Sequence, residues 1–191
     1  MKKALLSLVL CLSLSANAVE TSTDISIIAD LFSAVALKPG IDVSYIETKF
    51  LHILDVPLVN KGTLRLDNDG SIIKQIDGLN ERLIISETEA RKVTDSGEMV
   101  FTYTDHPQAH LMNSIIRAIF LHDIVTLNKY FKFHLEQHHS IWHLKLVPVE
   151  ATLQQFLHLI EINGYESRLE KIEILQGNGD KVILEYMDTV E

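Results

Sequence analysis

Apolar and polar residues alternate along most of this chain, the pattern of β-strands with one face toward a core and one toward water. The alternation is clear in residues 43–50 and 62–66, and it returns after the turn Asn68-Asp69-Gly70 in residues 71–76. It continues in segments 82–86, 90–94, 99–104, 130–137, 142–146, 158–163, 169–175 and 181–187. Because no regular βαβ alternation separates these segments, they predict one long antiparallel sheet. A twisted sheet of about ten strands must curl rather than stay flat.

Two longer segments have helical periodicity instead. Residues 24–37 place Ile25, Ile28 and Phe32 on one face, and Pro39-Gly40 follows as a stop signal. Residues 108–121 form the second helix, with a stripe made of Leu111, Met112, Ile115, Ile116, Ile119 and Phe120. A short helix is also predicted over 150–158. The fold class is therefore mainly β with helices (α+β), in a single domain.

The first eighteen residues predict export. Met1-Lys2-Lys3 is a basic head, residues 4–14 form an apolar run of eleven, and residues 15–18 end in a small–x–small pattern. Eleven residues cannot span a hydrocarbon core of roughly 30 Å, so residues 1–18 are interpreted as a cleaved signal peptide. The alternative is a buried helix of a protein that is not exported. We expect a mature domain over 19–191, working without ATP or nicotinamide, which leaves binding, carrying or a cofactor-free reaction.

The net charge and the cysteine content limit the kinds of partner and attachment to be expected. The formal net charge of −9 becomes −11 once Lys2 and Lys3 are removed with the signal. An acidic surface repels phosphate backbones and anionic lipid head groups, so no nucleic-acid partner is expected. The single cysteine, Cys11, lies within the signal, and Leu10 precedes it where a lipoprotein signal needs a small residue. The mature chain is thus expected to be unlipidated and held together by core packing alone.

The search for catalytic patterns predicts no enzyme and no cofactor. The sequence contains no G-x-S-x-G elbow, no H-E-x-x-H pair and no glycine-rich phosphate loop. His122-Asp123 is the only hint of a metal-dependent hydrolase, and two adjacent residues are too common a pattern to indicate one.

Four histidines cluster near a predicted turn: His134, His138, His139 and His143. A hairpin could bring His134 near His143, and histidine is a frequent metal ligand. Since no carboxylate or thiolate completes a recognisable ligand set, solvated histidines at a hairpin tip are the interpretation, and metal binding is the alternative.

Aromatic residues lie mostly on the predicted strands. They either fill an ordinary core or line a cavity for an apolar ligand beneath helices that cap a curved sheet. Composition does not distinguish a filled interior from a hollow one.

The order of these elements resembles the LolA-like family of periplasmic outer-membrane lipoprotein carriers and their relatives. The resemblance covers nearly all of residues 20–190, with a helix first, a long strand next and a hairpin at the end. A "leucine, two residues, proline-leucine, small, x, glycine, x, leucine" segment is carried here by Leu54, Pro57, Leu58, Gly62 and Leu64. The stretch Trp142–Pro148 and the late turn Gly179-Asp180 also fit.

This resemblance implies an unclosed antiparallel β-barrel whose concave apolar face is covered by helices and takes up acyl chains. The expected protein is a monomeric periplasmic carrier for a lipoprotein or other acylated lipid cargo, with an inner-membrane exporter as a donor. Together with the strand alternation, it predicts these cavity-facing residues: Ile46, Phe50, Leu64, Leu66, Phe101, Tyr103, Ile116, Phe120, Phe131, Phe133, Trp142, Leu144 and Leu146.

One departure from the family keeps the cargo open. Lipoprotein carriers have an Arg-Pro pair after the second strand, whereas Asp67-Asn68-Asp69-Gly70 follows Leu66 here. A glycolipid or polyene lipid is therefore as compatible as a lipoprotein. The competing functions are a sensor or adaptor that binds a protein partner through the same fold, and a cofactor-free hydrolase.

Overall fold

The structure is a computed structural model, and it describes residues 25–187. The predicted signal peptide over 1–18, with Cys11, and the predicted mature start at Val19 lie outside the described residues. Within 25–187, none of the helices has both the length and the apolar character needed to cross a membrane.

Four helices and eleven strands make up residues 25–187. The helices are α1 (Ile25–Ala34), α2 (Pro107–Phe120), α3 (Ile124–Tyr130) and α4 (Ala151–Gln154). The first six strands are β1 (Asp42–Phe50), β2 (Leu58–Leu66), β3 (Ile72–Ile76), β4 (Glu81–Ile85), β5 (Glu89–Thr94) and β6 (Gly97–Thr102). The other five are β7 (Phe131–His138), β8 (Ile141–Pro148), β9 (Leu157–Tyr165), β10 (Arg168–Gln176) and β11 (Lys181–Met187).

All eleven strands of the described chain form one antiparallel sheet, in the order β6-β5-β4-β3-β2-β1-β11-β10-β9-β8-β7. Strands β1–β6 are one meander and β7–β11 another. The pairing of β1 with β11 joins the two meanders, from Ser44 opposite Met187 to Phe50 opposite Lys181. Because β6 and β7 stand at the two ends of the order, the sheet is not closed. The predicted single, unclosed antiparallel sheet with helices is confirmed.

One side of the sheet, here called the helix-facing side, carries most of the core. Side chains such as Leu144 on β8 and Ile162 on β9 are fully buried there. They pack with Phe32 of α1, Leu127 of α3 and Leu153 of α4. Burying a side chain of this size contributes about 1.5 to 3 kcal/mol. The half of the sheet formed by β7–β10 is thus filled by a contiguous core.

Helix α3 was not predicted. The sequence interpretation began a strand at Tyr130, but Tyr130 ends α3 and β7 begins at Phe131. Asp123 caps α3 by accepting a hydrogen bond from the Thr126 amide at 3.0 Å. With seven residues, α3 is too short for a clear periodicity, and its burial of Leu127 depends on the neighbouring core. Several boundaries also differ: α1 ends at Ala34, β2 begins at Leu58 directly after Pro57, α4 ends at Gln154, and β9 extends to Tyr165.

A glycine fixes the approach of β9 to the only tryptophan of the chain. Trp142 is 2% exposed, and its Nε1 donates to the Glu166 carbonyl oxygen at 3.0 Å. Gly164 lies directly opposite Trp142 on β9. A Cβ at Gly164 would overlap both the indole ring and the Arg168 carbonyl oxygen. Only glycine therefore fits at this position without displacing the core.

We expect Gly164→Ala to lower the free energy of unfolding by about 1 to 3 kcal/mol, because the new methyl group overpacks the core against Trp142. Urea unfolding followed by the fluorescence of Trp142 measures the change. The exposed neighbour Ser167 supplies the control, and Ser167→Ala should change stability by less than about 0.5 kcal/mol. Equal effects of the two substitutions would contradict the assigned contact.

His122 joins α2 to α3 in the left-handed backbone region, with φ 57°. Its ring packs edge-on against Phe32 at a centroid distance of 5.6 Å. Burial disfavours the imidazolium and lowers the pKa of His122 to about 4.

This shift predicts a pH-dependent stability. The unfolded chain binds the proton near pH 6.5 and the folded chain only near pH 4, so the stabilisation is complete above 6.5 and is lost as the pH falls toward 4. The loss attributable to His122 should be on the order of 2 to 3 kcal/mol. His122→Asn should remove this pH-dependent loss of stability, and asparagine tolerates the left-handed backbone at this position.

The matched control is His139→Asn, because His139 is also left-handed (φ 56°) but lies exposed in the β7–β8 turn. Denaturant unfolding across this pH range compares the three proteins. A His122→Asn protein with the same pH slope as the wild type would refute the assignment.

Candidate functional site

A cavity of about 380 Å³ adjoins the main core. It lies between α2 and the helix-facing side of β1–β4, β10 and β11. Its apolar lining consists of Leu51, Leu64, Ile72, Leu83, Ile85, Met112, Ile116, Ile119, Phe120, Ile172, Ile174, Val182 and Leu184. Its polar lining consists of Glu47, Lys49, Lys74, Gln176 and Asp180. This volume lies within the range of small-molecule sites, and the lining is that of a pocket for an apolar group.

Helix α2 supplies the roof through its apolar stripe. Met112, Ile116 and Phe120 recur every four residues, so they line one face of the helix and point into the cavity. On the adjoining face, Ile115 and Ala118 are buried in the main core. The helix therefore covers a filled region with one face and a hollow region with the other.

Two polar side chains of α2 anchor it to turns of the sheet. Arg117 donates from a terminal guanidinium nitrogen to the Gly70 carbonyl oxygen at 2.7 Å. Asn113 is 5% exposed, and its Nδ2 donates to the Ser86 carbonyl oxygen at 3.0 Å. These bonds fix α2 to the β2–β3 and β4–β5 turns, at the ends of the strands. The cavity lies between the helix and the centres of the strands beneath it.

A buried ion pair stands among the apolar residues of the cavity. Glu47 on β1 is 7% exposed, and its Oε1 lies 2.6 Å from Nζ of Lys74 on β3. The second oxygen, Oε2, lies 3.2 Å from Nζ of Lys49 and 3.4 Å from Nδ2 of Asn60. Nζ of Lys74 also lies 5.0 Å from the centroid of the Tyr45 ring. One carboxylate is thus shared by two ammonium groups.

The pKa shifts follow from burial and from this pairing. Burial by itself would raise the pKa of the Glu47 carboxyl, but the hydrogen bond and charge of Lys74, with the charge of Lys49, hold it below its ordinary value. Burial lowers the pKa of Lys74, and the bonded Glu47 carboxylate opposes that shift. The site consequently stabilises Glu47 in its charged carboxylate form.

One end of the cavity is lined by Leu51 and Asp180, beside the β1–β2 loop. Asp180 accepts hydrogen bonds from the backbone amide and Nδ1 of His52, both at 2.8 Å, and from Nδ2 of Asn178 at 2.8 Å. These bonds hold the pKa of Asp180 below its ordinary value and tie the β1–β2 loop to the β10–β11 turn. Next to them, Ile53 and Val56 are 74% and 69% exposed.

Of the residues that the sequence predicted for the cavity, Leu64, Ile116 and Phe120 line it. Leu66 is buried beside it, in a smaller core with Tyr45 and Ile72. Five others belong to the main core or pack against it: Phe131, Phe133, Trp142, Leu144 and Leu146. Those five point to the helix-facing side as predicted, but the interior there is filled.

The remaining four predicted residues lie elsewhere. Phe101 is 42% exposed and stacks on His106 at 4.8 Å, and Tyr103 packs edge-on against Phe101. Ile46 and Phe50 alternate with Tyr45, Glu47 and Lys49 along β1, so they point to the opposite side of the sheet. The predicted inward direction of Ile46 and Phe50 is therefore wrong, because β1 turns its mixed aromatic and charged face to the helices.

The sequence interpretation missed the ion pair. The prediction that Ile46 and Phe50 face inward puts Glu47 and Lys49 on the wet face of β1, and Lys74 is one polar residue within β3. Their spacing does place Glu47 and Lys49 on the same face of β1 as Tyr45. Alternation alone, however, does not show which of the two faces of β1 is buried.

The histidines of the predicted hairpin tip do not form a metal centre in the described chain. His134 stands opposite Lys145, whereas His143 stands opposite Glu136 and has its Nε2 3.4 Å from Glu161. Within residues 25–187, no group of three or more His, Cys, Asp or Glu side chains is arranged to hold a metal ion.

Breaking the ion pair tests its burial. We expect Glu47→Gln to lower the free energy of unfolding by about 3 kcal/mol, because it leaves the Lys74 ammonium buried without a carboxylate. Glu136→Gln is the control, because Glu136 is 60% exposed and its ion pair with Lys145 is longer, at 3.7 Å. This substitution should change the free energy of unfolding by less than about 1 kcal/mol. Denaturant unfolding at neutral pH distinguishes the two. A Glu47→Gln protein as stable as the control variant would show that the pair is not buried in solution.

Comparison with known proteins finds similarity only among solved structures. No family model matches the chain, and no curated protein matches its sequence. Among solved structures, the chain is similar to a LolA superfamily protein from Nitrosomonas europaea, with 7% identity, a TM-score of 0.46, and 86% of this chain and 91% of that chain covered. It is also similar to a domain described as an outer membrane lipoprotein-sorting protein from Vibrio parahaemolyticus, with 10% identity, a TM-score of 0.44, and coverage of 86% and 90%.

A third similar structure is MucB in complex with the periplasmic part of MucA, with 11% identity and a TM-score of 0.40. That alignment covers 88% of this chain and 57% of MucB. The unclosed antiparallel sheet with helices follows from the strand order of this chain itself.

Proposed function

We propose that this protein is a periplasmic carrier or chaperone that shields an acyl chain of a lipid or lipidated cargo in the cavity beneath α2. The observation that carries the proposal is the apolar cavity of about 380 Å³ between α2 and the central strands. Exposing an acyl chain to water costs about 0.8 kcal/mol per methylene group, so an apolar pocket can hold such a chain without any chemical step.

Two features of the sequence support the same proposal. The LolA-like order of elements implies acyl-chain carriage between membranes, and the predicted signal peptide implies a compartment without ATP. Enzymatic activity and a cofactor form no part of the proposal.

A charge placed in the roof of the cavity tests the proposal. We expect Ile116→Glu to weaken binding of a fluorescent fatty-acyl probe at least about tenfold, because it puts a carboxylate beside the apolar chain. Val125→Glu on α3 is the matched control, since Val125 is 67% exposed and should bind the probe as the wild type does. Circular dichroism checks that both variants are folded. A folded Ile116→Glu protein that binds as tightly as the wild type would rule out the cavity as the acyl site.

A second candidate function is an adaptor that binds a protein partner. The β1–β2 loop and the start of β2 favour it, because Ile53, Val56 and Val59 are each more than half exposed. Contiguous exposed apolar residues often mark contact surfaces. Native mass spectrometry of the protein purified from its own cells separates the functions: co-purified lipid supports a carrier, and a stoichiometric protein partner with an empty cavity supports an adaptor.

A further inference from the structure

Positive charge exceeds negative charge at the ion pair within the cavity. The two ammonium groups of Lys49 and Lys74 share the single carboxylate of Glu47. Each ammonium has three N–H donors, and the contact with Glu47 uses one donor on each. These lysines can therefore donate to a further acceptor.

The other acidic residue of the lining, Asp180, keeps its negative charge at one end of the cavity beside the β1–β2 loop, so the excess of positive charge is local to Glu47. Asp180 is already engaged by the backbone amide and ring of His52 and by the side chain of Asn178. An anionic group that entered the cavity beside Glu47 would thus meet ammonium donors that are held in place by their carboxylate neighbour. Charged hydrogen bonds of this kind are stronger than neutral ones.

The size of the cavity limits the apolar part of a ligand. At roughly 30 Å³ for each group the size of a water molecule or a methylene, about 380 Å³ holds about a dozen such groups. That is one acyl chain of medium length. Three chains of that length, as in a triacylated lipid anchor, need roughly three times this volume.

We propose that the cavity binds a single-chain amphiphile with an anionic head group, whose head contacts Lys49 and Lys74 and whose chain lies against Leu64, Phe120 and Leu184. The inference rests on the proposed acyl-binding function and adds to it the number of chains and the charge of the head.

Isothermal titration with three twelve-carbon compounds tests the inference on the full-length mature protein. The compounds are dodecanoate, dodecanol and dodecyltrimethylammonium, which differ in head charge and share one chain. At mildly alkaline pH the acid is fully ionised, and we expect dodecanoate to bind roughly tenfold more tightly than dodecanol, because of its charged hydrogen bonds to the lysines. The cationic compound should bind more weakly than dodecanol.

Three variants assign the preference to the lysines. Lys49→Met should reduce the preference for dodecanoate over dodecanol several-fold. The double variant Glu47→Gln with Lys74→Met removes both partners of the pair, avoids an unpaired buried charge and should do the same. Lys61→Met is the control, because Lys61 is exposed on the opposite side of β2, and it should leave the preference unchanged.

The outcomes separate this inference from the proposed function. Equal binding of dodecanoate and dodecanol by the wild type would overturn the anionic head group while leaving an acyl carrier intact. An unchanged preference in both lysine variants would overturn the role of Lys49 and Lys74. Binding of none of the three compounds would overturn the proposed function itself.

Discussion

The pairing of β1 with β11 is the contact on which the rest of this structure depends. It joins a meander of six strands to a meander of five, and it unites parts of the chain that are far apart in sequence. The register places Glu47 opposite Leu184 and Lys49 opposite Val182, so both meanders contribute to one cavity floor. Such a distant pairing must overcome the entropy of closing a long loop, and sheets built this way fold slowly. Neither meander alone therefore contains the cavity.

The two halves of the sheet differ in what covers them. Over β7–β10, side chains of α1, α3 and α4 fill the space above Leu144 and Ile162 to the density of an ordinary core. Over β1–β4, α2 is the one helix of residues 25–187 that covers the sheet, and it is anchored at the turns by Arg117 and Asn113. An interior is hollow when the elements above it are held apart by contacts elsewhere. Here, the polar anchors of α2 and its packing on the main core keep the cavity open.

The ion pair of Glu47 and Lys74 is costly for stability and well suited to recognition. Removing two charges from water costs several kcal/mol per ion, and a pair of apolar residues in the same place is often as stable. The second lysine, Lys49, and Asn60 supply further donors to the same carboxylate. A polar cluster of this kind inside an apolar cavity can orient a ligand that has one polar end, which apolar walls alone cannot do.

The sequence by itself determined the antiparallel sheet, the two long helices and the helix-facing direction of most strands, because alternation and helical periodicity are local properties. Trp142, Leu144 and Leu146 point inward as predicted, since the residues between them include His143 and Lys145. On β1 both faces mix apolar and polar residues, so alternation could not show whether the face with Ile46 or the face with Tyr45 points inward. The burial of Glu47 depends on Lys74, 27 residues away on another strand. Likewise, apolar strand residues occur in both the filled and the hollow part of the interior, and the difference depends on which helices lie above them. Only the tertiary structure decided these points, because each is set by contacts between elements that are distant along the chain.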